Sequence, residues 1–191
     1  AMPSIEKFTS LEPDNLSKTL NQNYAELIPN FYEVQSLFLS RIYKRYKNIE
    51  TGNILLCFAR NTHLEILRQR ENNLDFDLSF KNFWDNYKII NKPSHNITSI
   101  VKYTGIPKET TRRKIKYLLN SEFLSINKNA KGYSWNLTNK NKDAYFKVIN
   151  EEISSLSKLI FNISKFLNLN LSSETIQNEI KNQFSFYWLS S

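Results

Sequence analysis

A chain of 191 residues with 40% apolar and 14% aromatic side chains has ample material for a packed core, which excludes global disorder. Only three glycines and five prolines occur, too few for a turn-rich sandwich or barrel, so long helices are expected. Of the 26 cations and 18 anions, ten and two fall between Ser94 and Lys142, and the remaining sixteen of each sign cancel, so the whole net charge of +8 belongs to one quarter of the chain. A confined positive excess suits a polyanionic partner; the plainer alternative is a solvated basic face.

The first dozen residues lack periodicity and are expected to fray. From Asp14 to Asn48 apolar residues recur at helical spacing, through Leu16, Leu20, Tyr24, Leu27 and Ile28, then Tyr32, Leu37, Phe38, Ile42 and Tyr46. Pro29 is expected to break or kink this run, because proline removes a donor and disfavours helix at the preceding residue. Arg41, Lys44, Arg45 and Lys47 place positive charge at the end of the second piece, where it complements the helix dipole.

Glu50-Thr51-Gly52-Asn53 predicts a break with a fresh cap, followed by a helix over 53–70. Within it Cys57, in the apolar run Ile54-Leu55-Leu56-Cys57-Phe58, is the one cysteine; it permits no internal disulfide and reads as a buried structural thiol. A loop near 71–77 and a short aromatic helix around Phe80, Phe83, Trp84 and Tyr87 come next, ending before Pro93. Asp75 and Asp77 read as loop-end residues that charge the following helix start.

Asn96 is placed to cap a two-turn helix with Ile97, Ile100 and Val101 facing inward. Gly105 stops it, since the sharp turn needs a residue free to take positive φ, and Ile106 plugs the turn into the core. Pro107 opens the next helix, 107–120, where its missing donor costs nothing. There Thr111, Ile115, Leu118 and Leu119 form the inward stripe. Lys108, Glu109, Thr110, Arg112, Arg113 and Lys116 lie opposite. Such a helix in a major groove reads bases from its first turns, with Thr110 and Arg112 ranked first for base edges and Lys108 and Lys116 for phosphates. After Ser121 the period becomes alternating: Leu124 and Ile126, then Tyr133, Trp135 and Leu137, around the polar segment 127–132 that ends in Gly132. This predicts a β-hairpin whose tip carries Lys128 and Lys131, within reach of a backbone or minor groove.

The run Thr104-Gly-Ile-Pro-Lys-Glu-Thr-Thr-Arg-Arg-Lys-Ile115, with Leu118 and the Phe123-Leu124 strand start, resembles the winged helix-turn-helix transcription regulators of bacteria over roughly 45 residues. Thr111 stands where such proteins often carry an apolar residue, and Pro107 where Ser or Thr is more usual. The resemblance implies sequence-specific binding of double-stranded DNA, often as a dimer. A winged-helix module for protein–protein interaction is the alternative, for which a neutral or mixed helix face is usual.

Beyond this unit, Phe146, Ile149, Ile153, Leu156, Ile160, Ile163 and Leu167 form a heptad seam over three heptads, suited either to self-association or to packing on the N-terminal helices. A final helix, capped by Ser172 or Ser173, is expected through Ile176, Ile180, Phe184 and Trp188. Two histidines, His63 and His95, one cysteine and no phosphate-binding glycine loop argue against an enzyme, and no cofactor or metal is expected. Aromatics outside the DNA unit, among them Phe80, Phe83, Trp84, Tyr87, Phe184, Tyr187 and Trp188, are more economically core than an effector pocket. With no segment resembling a signal peptide or a membrane span, the expected compartment is the cytoplasm. The expected architecture is mainly α: an N-terminal helical region (1–92), a winged helix-turn-helix (93–139) of three helices and a hairpin wing, and C-terminal helices (140–191) that dimerise or pack. The expected partners are double-stranded DNA and a second copy of the chain.

Overall fold

The computed structural model describes residues 12–73 and 77–183. Those residues form eight helices and a two-stranded antiparallel sheet: α1 (Pro13–Gln22), α2 (Tyr24–Tyr46), α3 (Ile49–Asn72), α4 (Phe80–Asn86), α5 (Ile97–Thr104), α6 (Lys108–Asn120), β1 (Leu124–Asn127), β2 (Gly132–Trp135), α7 (Asn139–Phe166) and α8 (Ser173–Asn182). Among the described residues no helix is long and apolar enough to cross a membrane. The chain divides into two compact units. One holds the described residues up to Phe38 with Ile149–Ile180, and the other holds Leu39–Val148 with the described residues from Lys181.

In the first unit the helix break falls at Asn23, not at Pro29. The Asn23 backbone N–H and side-chain Nδ2 both donate to the Thr19 carbonyl, each at 3.0 Å, which closes the end of α1. Helix α2 then runs through Pro29. The carbonyl orphaned by the missing donor belongs to Ala25, an exposed residue. On α7, Ile149 and Ile153 are buried, Leu156, Ile160 and Ile163 are half-buried, as is Leu167 just past its end, and Phe146 is 44% exposed. Ser157 and Ser164 are also buried, and their hydroxyls donate back to the Ile153 and Phe161 carbonyls at 2.6 and 2.7 Å. The helix ends near Asn168, whose φ is +55°. Ser172 caps α8 by accepting from Thr175 N at 3.1 Å, and Ile176 and Ile180 are buried. Phe184, Tyr187 and Trp188 lie outside the described residues, as does Asp75.

In the second unit α3 begins at Ile49, because Asn48 Oδ1 accepts from Thr51 N at 3.0 Å. The break expected at Gly52 is absent: Gly52 is buried within α3. A Cβ there would lie 2.2 Å from Ile42 Cγ2 and 3.1 Å from Tyr46, so close approach of α2 and α3 is what requires glycine. Helix α3 packs against α5, α6 and β2. His63, in the middle of α3, is fully buried and stacks on Phe83 at 4.9 Å, with Trp135 at 6.2 Å. Cys57 is half-buried, and burial pushes its thiol pKa up. Ser79 caps α4 by accepting from Asn82 N, while Asp77 Oδ1 accepts from Ser79 N at 2.8 Å. Phe80, Phe83, Trp84 and Tyr87 are all buried, and Phe83 meets Trp84 edge-on at 5.0 Å. They pack as core.

Candidate nucleic-acid interface

The segment 96–120 folds by local signals. Asn96 Oδ1 accepts from Ser99 N at 2.9 Å and starts α5. Gly105 stands at φ +71° and donates to the Val101 carbonyl at 2.9 Å, ending the helix in a left-handed cap. Pro107 occupies the cap position of α6 rather than its first turn, with its carbonyl accepting from Thr111 N at 2.8 Å. Thr111, Ile115 and Leu118 are fully buried, and Ile106 is buried in the turn. Threonine is tolerated at 111 because its hydroxyl donates to the Ile106 carbonyl at 3.2 Å.

With that stripe anchored, the other side of α6 faces solvent. Lys108, Glu109, Arg112, Arg113 and Lys116 are exposed, together with Tyr117 and Asn120, while Thr110 is half-buried. Arg112 Nη1 donates to Glu109 Oε1 at 2.8 Å in an exposed ion pair. Arg113 and Lys116 make no ion pair among the described residues. Tyr117 is an exposed member of this side that the sequence reading misses; its spacing from the inward stripe is the signal that places it there.

Helix α6 closes through Glu122, at φ +62°, with Phe123 N donating to Leu118 O at 2.9 Å. The chain turns into β1, which pairs with β2 in the register Leu124↔Trp135, Ser125↔Ser134, Ile126↔Tyr133 and Asn127↔Gly132. Asn127 Oδ1 accepts from the backbone N–H of Asn129 and Ala130, both at 3.1 Å, and shapes the tip. Lys128 and Lys131 are exposed there. The positive φ of the turn, +48°, falls on Lys131. Gly132 serves a different need, because a Cβ on it would lie 2.5 Å from Ser94 Oγ and 3.0 Å from the His95 carbonyl.

His95 joins the hairpin to α3. Its backbone N–H and carbonyl exchange hydrogen bonds with Tyr133, both at 2.8 Å, and its Nε2 lies 3.0 Å from Asn61 Nδ2. Burial lowers the imidazole pKa. Not every cation of the basic segment shares the open face. Lys140 pairs with Glu122 at 2.7 Å, Lys142 sits 5.3 Å from the Tyr87 ring, and Lys114 is half-buried. What remains is Lys102, exposed on α5, a cationic group on α6, Lys108, Arg112, Arg113 and Lys116, and a cationic hairpin tip, Lys128 and Lys131. Such groups can neutralise phosphates and donate to base edges.

No protein-family model matches the chain, and no curated protein or solved structure matches it either.

Proposed function

We propose that this chain is a transcription regulator that binds double-stranded DNA in a sequence-specific way, acting by binding rather than by catalysis, with a winged helix-turn-helix inside Leu39–Val148. One observation carries the reading: the buried stripe Thr111, Ile115 and Leu118 turns Arg112, Arg113 and Lys116 outward, with Lys108 exposed at the start of the helix. The order of elements supports it. Residues 93–139 hold two helices, α5 and α6, rather than the expected three, and α3, which precedes α4 and packs on both α5 and α6, takes the place of the third. The His95–Tyr133 bridge, α5, a glycine turn, α6 and the hairpin then follow in order. Helix α6 enters the major groove, and Lys128 and Lys131 of the wing rest on the backbone or minor groove.

The active form is a homodimer to which α7 contributes, supported by Leu156, Ile160 and Ile163 being only half-buried. Two α6 helices would then sit ~34 Å apart, on successive major grooves of one DNA face. Light scattering at micromolar concentration reads the dimer directly, and a monomer there counts against it.

The test of DNA binding is a mobility shift on duplex DNA across a salt series. Affinity should fall with a log–log slope of about −0.9 per neutralised phosphate. The double variant Arg112→Ala/Arg113→Ala should lose most of the specific affinity. Parent-like DNA binding by that variant removes the assigned face. Salt-insensitive capture of a protein by this face would instead establish an interaction module.

A further inference from the structure

Position around α6 ranks its exposed side chains. At 3.6 residues per turn, Arg113 lies about 160°, 160° and 140° from Thr111, Ile115 and Leu118, which makes it nearly opposite the whole buried stripe. Glu109, one turn earlier, shares that outermost line. Arg112 lies only about 60° from Ile115, on the flank, and its guanidinium is engaged by Glu109 at 2.8 Å. Thr110 is on the other flank and half-buried.

Glu109 is the informative residue. On a surface that meets a polyanion, a carboxylate repels phosphates and weakens binding to every sequence. Arg112 donates to one of its oxygens, Oε1, at 2.8 Å, and a base edge in the groove can supply a second donor. Cytosine N4 is that donor in the major groove. Adenine N6 is a poorer match, because the N7 acceptor beside it faces the second carboxylate oxygen. Arg113, with no ion pair among the described residues, has its fork free for guanine O6 and N7.

We propose that Arg113 and Glu109 determine the sequence that α6 reads, guanine by Arg113 and cytosine by Glu109, with Arg112 as the positioning residue that holds the Glu109 carboxylate. This rests on the DNA-binding reading above. Four helical residues span ~6 Å and a base step ~3.4 Å, so the two bases lie about two base pairs apart.

The experiment is enrichment from a random-sequence duplex pool by the full chain and by Arg113→Gln, Glu109→Gln, Arg112→Gln and Arg112→Lys. The parent enriches a motif with cytosine and guanine at that spacing. Arg113→Gln lowers guanine preference by about tenfold or more and leaves cytosine preferred. Glu109→Gln loses cytosine preference by a similar factor and binds unselected duplex more tightly. Arg112→Gln relaxes the cytosine position alone, and Arg112→Lys restores it. A motif unchanged in Arg113→Gln and Glu109→Gln, or guanine preference lost in Arg112→Gln and kept in Arg113→Gln, overturns this assignment while DNA binding stands. A parent that enriches no duplex takes both readings down.

Discussion

The guanidinium carbon of Arg45 lies 4.1 Å from the centroid of the Tyr145 ring, and the rings of Tyr46 and Phe123 face the same cation at 5.6 and 5.7 Å. Arg45 Nε and Nη2 are buried without a hydrogen-bond partner, so the aromatic faces supply the electrostatic compensation. The cationic end of α2 is thus partly a packing element, beyond its complement to the helix dipole. Tyr145 is itself buried. Its hydroxyl accepts from Trp135 Nε1 at 3.2 Å, and burial pushes its pKa up to about 12.

Two substitutions separate these contributions. Tyr145→Phe keeps the ring over Arg45 but strands the Trp135 N–H, and should cost about 1–3 kcal/mol. Arg45→Met keeps the length and apolar stem while removing both the cation and its unpartnered donors. Those effects oppose each other, so the change should stay within about 1 kcal/mol of the parent. Urea denaturation midpoints measure both. An Arg45→Met loss larger than that of Tyr145→Phe would show that the cation–π contacts dominate.

Gly52→Ala sets helix propensity against packing. Alanine gains about 1 kcal/mol over glycine inside a helix. The added Cβ, however, would meet Ile42 Cγ2 at 2.2 Å, on a stiff β-branched side chain that cannot swing away. Overpacking of this kind costs about 1–3 kcal/mol, so a net destabilisation is expected. Adding Ile42→Ala removes the obstructing methyl, and the double variant should be more stable than the sum of the single changes. Strict additivity in a double-mutant cycle would refute the contact as the cause.

Gly105→Ala tests backbone conformation alone. A Cβ added at this position would meet no atom within 4 Å, yet φ is +71°. The expected cost is about 1–2 kcal/mol, the ordinary penalty for a left-handed L-residue. Gly105→Asn should cost less, because asparagine tolerates that region. Equal losses for the two variants would point to a cause other than φ.

These glycines show why some of the architecture is legible in the sequence and some is not. The Gly105 turn, the Asn96 cap and the alternation of Leu124 and Ile126 with Tyr133 and Trp135 are local signals, and the structure has the expected turn, cap and hairpin there. Gly52 and Gly132 look the same in sequence, but what demands them is packing by another element: Ile42 on the preceding helix, and Ser94 and His95 beside the hairpin. Pro29 misleads for a different reason: the helix end is set locally by the Asn23–Thr19 bonds, and α2 runs through the proline. On the candidate face, the three-residue spacing of Glu109 and Arg112 is readable as a pair, whereas the Glu122–Lys140 bridge, eighteen residues apart, is not. A charge count therefore locates the basic segment without saying which cations remain open.

His63 makes stability depend on pH. Complete burial lowers its pKa from the ordinary 6.5 to about 3, so the folded chain holds it neutral where the unfolded chain protonates it. The unfolded state then binds more protons between pH 6.5 and 3, and stability must fall as pH falls through that window. His95 is pushed in the same direction by burial and adds to the slope. Between pH 6.5 and 5, above the range where most carboxylates titrate, the loss approaches ~1.4 kcal/mol per pH unit for His63. Urea denaturation at stepped pH measures the slope, and His63→Phe, which keeps a ring against Phe83, should flatten most of it. A direct check is the NMR titration of the His63 ring protons, which should show no inflection down to pH 5 in the folded chain. An inflection near 6.5 would mean that the ring meets water, and the slope would then have to come from elsewhere.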